Sequence, residues 1–222
     1  EHMEPQARIH YAVTDTGGCS PNVVQARASV LYMVRSDRVK KALELQARVD
    51  KIAEGAALMT ETSCRRKFID GLAETIPNHA LEALLYRNFS EGGVPVYTGE
   101  EQAFAAALAA TYEAEGYLPG VGRQDAGYAA AVKAMKPAGA MNDVLLPLYQ
   151  GEAFSPGSTD VGDVSWQCPT AQLHVAAWPN GCPGHSWQNV SCGKTSIGHK
   201  AALCAGKVLC AAAVDLLEQP EL

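Results

Sequence analysis

The sequence predicts two domains of mixed α and β structure: a small α+β sandwich over residues 1–93, followed by an α/β part over residues 94–222. Three observations lead to this prediction. The first part reads in the order strand, strand, helix, strand. Glycine and proline cluster at residues 91–95, which is typical of a linker between two domains. Alanine-rich helical segments then flank a short apolar run.

Two β-strands are predicted at the start of the chain. Residues 8–15 (RIHYAVTD) alternate in polarity and are rich in residues that favour strands, and Gly17 with Gly18 breaks the run. Residues 28–34 (ASVLYMV) have the same character. The sequence therefore predicts two strands separated by a loop.

A long amphipathic helix should follow the second strand. Apolar side chains recur at steps of three and four from Val39 to Ala56, and Ser36 or Asp37 is predicted to cap its first turn. Residues 60–76 are predicted to form a third strand that Pro77 ends.

Helices dominate the remaining predictions. A short helix over residues 79–88 precedes the boundary, and residues 100–114 form a second, alanine-rich helix. Residues 171–178 read as a buried strand, and residues 195–217 as a closing helix whose small side chains permit close packing.

Composition excludes several classes of function. The 222-residue chain has a formal net charge of −6, which argues against a nucleic-acid-binding face. No apolar run approaches the roughly 18 residues of a membrane span. The seven cysteines are odd in number and lack the paired spacing of zinc sites, so we expect reduced thiols and a cytoplasmic protein without membrane partners.

Two loops hold the densest clusters of chemically useful residues, 157–163 (GSTDVGD) and 181–188 (GCPGHSWQ). His185 is a candidate metal ligand, and the alternative is a surface histidine without a role. Asp160 and Asp163 can accept backbone hydrogen bonds, bind a cation or orient a ligand histidine.

Other chemistries have less support. Gly193-Lys194-Thr195 suggests a phosphate loop, but position 188, where a Walker loop needs glycine, is Gln. Ser158 lacks the flanking glycines of a nucleophile elbow, and Cys19 has no identifiable base. Water activated at a metal is the chemistry that is left.

Four segments occur in an order and spacing that resemble the two-metal aminoacylase/carboxypeptidase metallopeptidases, and within them the p-aminobenzoyl-glutamate hydrolases. They are TDTGGCSPNVVQ with Arg35 thirteen residues after Asn22, then GSTDVGDVSW, GCPGHSWQ and GKTSIGHK. The resemblance implies that residues 1–93 are a dimerisation (lid) domain lacking its N-terminal part. Residues 94–222 are then the C-terminal part of a catalytic domain.

The resemblance also implies roles for individual residues. His185 matches the family's last metal ligand. Substrate binding falls on two dimerisation-domain residues and one pocket loop, namely Asn22, Arg35, Gly157, Ser158, Thr159 and Asp160. A guanidinium suits this role because it binds a carboxylate through two hydrogen bonds.

The family's chemistry implies cofactors and partners. We expect two divalent metal ions, zinc or manganese, and a small-molecule N-acyl or p-aminobenzoyl amino acid as substrate. The other metal ligands and the general base match positions upstream of residue 1, so the chain by itself is expected to be an inactive piece of a longer enzyme. The alternative is a non-catalytic dimerisation or regulatory module.

A homodimer through residues 1–93 is expected, and a second, different subunit is possible in this family. If residues 28–35 form a strand, its ends lie about 25 Å apart, so Asn22 and Arg35 are not expected to serve one pocket of one subunit unless the loop folds back. Twofold symmetry would bring the asparagine of one subunit to the site of its neighbour.

Overall fold

The structure is a computed structural model in which two compact units are distinguished. It describes residues 3–113, 125–135, 137, 139–151 and 153–219. Unit 1 comprises Glu1–Ile76 with Pro156–Cys168, and unit 2 comprises Pro77–Ser155 with Pro169–Leu222.

The division between the units differs from the predicted boundary after residue 93. The chain leaves unit 1 at Ile76, and the helix that follows belongs to unit 2. The loop at residues 156–168 returns to unit 1, which sequence reasoning did not anticipate. The roles of dimerisation and catalysis for the two parts stay predictions.

Unit 1 contains an antiparallel pair of strands, β1 (Arg8–Asp15) and β2 (Ser29–Arg35), and both match the predicted strands. Arg8 lies opposite Arg35, and Asp15 lies opposite Ser29 with an irregularity beside it. The loop between the strands is therefore at one end of the sheet and the two arginines are at the other.

Apolar side chains are exposed on both faces of this sheet. Directly opposite residues of an antiparallel pair share a face. Tyr11 and Tyr32 therefore lie on one face, with ring centroids 6.0 Å apart, while Leu31 and Met33 lie on the other. All four side chains are exposed in this chain.

Helix α1 (Val39–Met59) confirms the predicted helix, but the predicted cap is wrong. Its N-cap position is Arg38, whose side chain makes no capping hydrogen bond. Instead, Oε2 of Glu74 accepts the backbone N–H of Val39 at 2.7 Å. The predicted core face is only partly covered, because Val49 is buried while Ile52 is 69% exposed.

The predicted third strand over residues 60–76 is wrong, since residues 62–76 have no regular secondary structure. The backbone N–H of Ala73 donates to Oδ1 of Asp163 at 3.0 Å, and that of Ile76 donates to Oγ of Ser165 at 2.8 Å. A strand needs backbone partners in a neighbouring strand, and here side chains take their place.

Unit 2 is built from helices. Long helix α7 (Ser196–Glu218) and helix α2 (His79–Gly92) confirm two predictions, and α3 (Gly99–Ala109) matches the predicted alanine-rich helix. The unit also contains α4 (Ala126–Ala134) and α6 (Trp187–Cys192), whereas the short helix α5 (Val161–Ser165) lies in unit 1.

The core of unit 2 centres on the contact between α2 and α7. Its buried members are Leu84, Leu85, Phe89, Val208 and Ala212. Nδ2 of Asn88 donates to Oδ2 of Asp215 at 2.7 Å, so a polar link accompanies the apolar contact. A second cluster joins Ala105, Met141 and Ile197.

The predicted strand over residues 171–178 is also wrong. Residues 171–177 have no regular secondary structure, although Leu173 and Val175 pack on the first core cluster while His174 between them is exposed. The alternation that predicted a strand is thus real. No partner strand pairs with this segment in the described part of the chain, so it forms no ladder.

Across the described residues, no helix combines the length and apolar character that crossing a membrane requires.

Candidate functional site

Arg35, the last residue of β2, contacts the loop that was predicted to line the substrate pocket. Its Nη2 donates to the carbonyl oxygen of Pro156 and lies 3.4 Å from Oγ of Ser158. The side chain is half-buried, whereas residues 156–160 are exposed. The structure therefore brings together Arg35 and Ser158, two residues far apart in sequence that had been assigned to one site.

The loop is held in place by the turn of helix that follows it. Asp163 and Ser165 of α5 accept the backbone N–H groups of Ala73 and Ile76. Nε1 of Trp166 donates to the carbonyl oxygen of Glu74 at 2.9 Å. Asp163, for which three roles were open, accepts a backbone hydrogen bond in unit 1.

Glycine at position 162 is required by the same contact. A Cβ atom there would lie 2.2 Å from the carbonyl oxygen of Ala73, which is main chain and does not give way easily. Residues 73–76 and α5 are therefore packed with backbone against backbone. This packing positions the start of α5 and, with it, the loop beside Arg35.

Gly157, Thr159 and Asp160 complete the predicted pocket loop. Oγ1 of Thr159 accepts the backbone N–H of Val161 at 3.3 Å. Asp160 is the N-cap residue of α5 but makes no side-chain capping bond, and its carboxylate is exposed. A polar, solvent-facing rim results.

Asn22 lies at the other end of the β-sheet, in the loop between β1 and β2. Its Oδ1 accepts from Oγ of Ser20 at 2.6 Å. Strand β2 separates this loop from Arg35 and spans about 20 Å at 3.3 Å per residue. The structure does not bring Asn22 and Arg35 together within one chain.

His185 belongs to unit 2, directly before α6, and is exposed. Its backbone φ is 55°, in the left-handed region that residues other than glycine rarely adopt. Such strained positions collect at functional sites, where the surrounding structure holds them. Ser186, the next residue, caps α6 by accepting from the backbone N–H of Asn189 at 3.2 Å.

The donor set for a metal is limited in the part of the chain that is described. No group of three or more His, Cys, Asp or Glu side chains is arranged there to hold an ion. His185 is exposed and fits the role of a single ligand to a divalent metal, and an imidazole nitrogen is a common ligand of zinc.

Arg8 is a residue that sequence reasoning missed. It faces Arg35 across the β1–β2 ladder, on the same face of the sheet. Its Nη1 donates to the carbonyl oxygens of Pro5 at 2.6 Å and Ala7 at 2.7 Å. Only the register of the two strands shows that Arg8 lies opposite Arg35. Because the loop between the strands is long, the sequence does not determine that register.

Carboxylates near this end of the sheet are committed to other cations. Nζ of Lys41 lies 2.7 Å from Oε2 of Glu4 and 3.3 Å from Asp37. Hydrogen bonds to these two carboxylates raise the pKa of Lys41. Glu74 pairs with Arg38 at 3.9 Å. Among the described residues, neither Arg8 nor Arg35 forms an ion pair.

A second polar cluster in unit 2 centres on Glu101, whose side chain is buried. Nζ of Lys200 lies 2.7 Å from its Oε2, and Oγ of Ser196 donates to its Oε1 at 2.6 Å. With the N–H of Thr98, these bonds lower the pKa of Glu101 to about 2. Glu101 also completes a capping box at the start of α3. Its role is to join α3 to α7.

The sequence of this chain was compared with known proteins and protein families. No protein-family model matches the chain. Over 219 residues, 97% of its length, the chain is 39% identical to the B subunit of p-aminobenzoyl-glutamate hydrolase from Escherichia coli (strain K12). The chain spans 46% of the length of that relative. The resemblance drawn from the motifs to p-aminobenzoyl-glutamate hydrolase is thereby confirmed: this chain is similar in sequence to the C-terminal part of the B subunit of that enzyme.

Proposed function

We propose that this chain supplies the substrate-recognition part of a metal-dependent amidohydrolase. The reaction is hydrolysis of the amide bond of an N-acyl or p-aminobenzoyl amino acid such as p-aminobenzoyl-glutamate. One observation carries the proposal: the guanidinium of Arg35 lies against the exposed loop at Pro156 and Ser158, and the family resemblance assigns substrate binding to Arg35 and Ser158. The similarity to a hydrolase of that name supports it.

Arg35 would bind the carboxylate of the amino acid. Both of its contacts with the loop use Nη2, so the N–H groups of Nε and Nη1 remain as donors to a carboxylate. Ser158 is exposed, and its Oγ lies 3.4 Å from Nη2 of Arg35. Its hydroxyl would donate to the same ligand.

His185 would supply one metal ligand. When bound, two divalent ions, zinc or manganese, supply Lewis-acid activation of the amide carbonyl and of the attacking water. His185 is exposed in the turn before α6, and its backbone φ of 55° is in the left-handed region. The remaining ligands and the general base are proposed to lie outside these residues, so the chain by itself is expected not to hydrolyse the substrate.

The β1–β2 sheet favours a homodimer, and it also supports the second candidate, a non-catalytic dimerisation or regulatory module. Tyr11, Leu31 and Met33 are exposed on a two-stranded sheet, and such surfaces mark protein interfaces. Since the relative is named as one subunit of a hydrolase, a different partner subunit is a further proposal.

We also propose a cytoplasmic location, where free thiols such as the seven cysteines of this chain stay reduced.

The test is steady-state hydrolysis of p-aminobenzoyl-glutamate by the protein expressed from its complete gene. Arg35→Gln should raise KM at least tenfold, because charge-assisted hydrogen bonds to the carboxylate are lost. Arg35→Lys should recover only part of that loss, since a compact ammonium lacks the planar, widely spaced donors with which a guanidinium contacts the loop and a ligand at once.

Arg48→Gln is the matched control. Arg48 is an exposed arginine on α1 without an ion pair in the described residues, so its kinetics should equal those of the wild type. Activity in the wild type with a selective effect at Arg35 supports the hydrolase. A stable wild-type dimer that binds no metal and hydrolyses no acyl amino acid would support the dimerisation module instead.

A further inference from the structure

We propose that Arg8 and Arg35 together form a site for two carboxylates, which makes the enzyme selective for amides of dicarboxylic amino acids. In this arrangement Arg35 takes the α-carboxylate and Arg8 takes the side-chain carboxylate. The inference rests on the proposed function, because it concerns the substrate of the same site. It adds Arg8 as a specificity-determining residue.

The strand register brings the two arginines together. Residues directly opposite in an antiparallel ladder point to the same face, with Cβ atoms about 4.5–5.5 Å apart. Two like charges in this relation destabilise the sheet unless an anion lies between them. A ligand with two carboxylates on a short carbon chain satisfies both guanidinium groups at once.

No protein carboxylate in the described part of the chain neutralises this pair. The acidic side chains nearby, Glu4 and Asp37, are held by Lys41. In the described residues, each of the two guanidinium groups is therefore left without a carboxylate within ion-pair distance.

Each guanidinium is also held in a defined place. Nη1 of Arg8 donates to the carbonyl oxygens of Pro5 and Ala7, and Nη2 of Arg35 donates to the loop at residues 156–158. A guanidinium has five N–H groups, so each arginine keeps donors for a ligand after these bonds are made. Because these anchors restrict both side chains, less conformational entropy is lost on binding.

The experiment compares two substrates that differ only in the charge of the side chain. The protein expressed from its complete gene is assayed with p-aminobenzoyl-glutamate and with p-aminobenzoyl-glutamine, whose side-chain amide is neutral. Arg8→Gln should lower kcat/KM for the glutamate substrate at least tenfold and change it less than about twofold for the glutamine substrate. Arg48→Gln should leave both values unchanged.

The outcomes separate this inference from the function on which it rests. A wild-type protein that hydrolyses neither substrate overturns both. An active wild type whose preference for glutamate over glutamine is unaltered in Arg8→Gln overturns the two-carboxylate site alone. An equal loss on both substrates also overturns it, because a merely structural role of Arg8 would lower both.

Discussion

Glu74 caps helix α1 from outside the helix: its Oε2 accepts the backbone N–H of Val39 at 2.7 Å, although 35 positions separate the two residues. The carbonyl oxygen of Glu74 also accepts from Nε1 of Trp166, the residue that follows α5. One residue thus joins the start of α1 to the element that supports the loop beside Arg35.

Replacing Glu74 should destabilise unit 1. Glu74→Ala leaves the N–H of Val39 without its acceptor, and the loss of an N-terminal cap costs about 1 kcal/mol. Glu74→Gln keeps an acceptor oxygen and should cost less. The free energy of unfolding in urea measures both, with Glu54→Ala on the exposed side of α1 as control. Equal stability of Glu74→Ala and the wild type would contradict the cap.

Two glycine substitutions should have opposite signs. Gly162→Ala places a Cβ atom against the carbonyl oxygen of Ala73 and should destabilise by about 1–3 kcal/mol. Gly55→Ala, inside α1, meets no atom within 4 Å and should stabilise by about 0.5–1 kcal/mol. Thermal unfolding of both variants checks the pair. A stable Gly162→Ala protein would mean that residues 73–76 do not lie against α5.

Glu101 should make stability depend on acid pH. Its folded pKa of about 2 lies below the ordinary value of 4.5, so its contribution is complete above pH 4.5 and is lost as the pH falls toward 2. Glu101→Gln should be less stable than the wild type at pH 7, and the difference should shrink over that window. Urea unfolding at about pH 7, 4 and 2.5 measures this.

The control for Glu101 is Glu100→Gln, which changes the exposed carboxylate next to it. This variant should follow the wild type at all three pH values. A Glu101→Gln protein whose deficit stays constant from neutral pH into the acid range would show that the link to Lys200 does not set the pKa.

Two variants of His185 separate backbone strain from metal binding. Both His185→Ala and His185→Gly remove the imidazole, so the protein from the complete gene should retain less metal in either case. Only glycine adopts a φ of 55° without strain, so His185→Gly should be about 1 kcal/mol more stable than His185→Ala. Metal analysis and thermal unfolding provide the two readouts. Full metal content in both variants would exclude His185 as a ligand.

Periodic segments were the most predictable part of the fold. Helices α1, α2 and α7 and both strands of the sheet follow from the spacing of their apolar residues. The two strands that were wrongly predicted, at residues 60–76 and 171–178, have suitable composition. A strand exists only when another strand pairs with it, and one sequence segment does not show which partners the chain offers.

The sequence predicted which residues belong to the candidate site, but it did not predict how they are arranged in space. The motifs identified Arg35 and the loop at residues 157–160, and the structure places Arg35 against Ser158. Arg8 escaped notice because its relation to Arg35 depends on the register across the β1–β2 loop. The Glu74 cap escaped as well, since Ser36 and Asp37 are the better cap residues when only neighbours in sequence are considered.

The return of residues 156–168 to unit 1 has a consequence for the order of folding. The bonds that Asp163 and Ser165 make with Ala73 and Ile76 span 90 and 89 positions. During synthesis from the N-terminus, β1, β2 and α1 emerge well before α5, and closing so long a loop is entropically slow. We therefore expect the bonds between α5 and residues 73–76 to form late, after the ribosome has made the intervening stretch of unit 2.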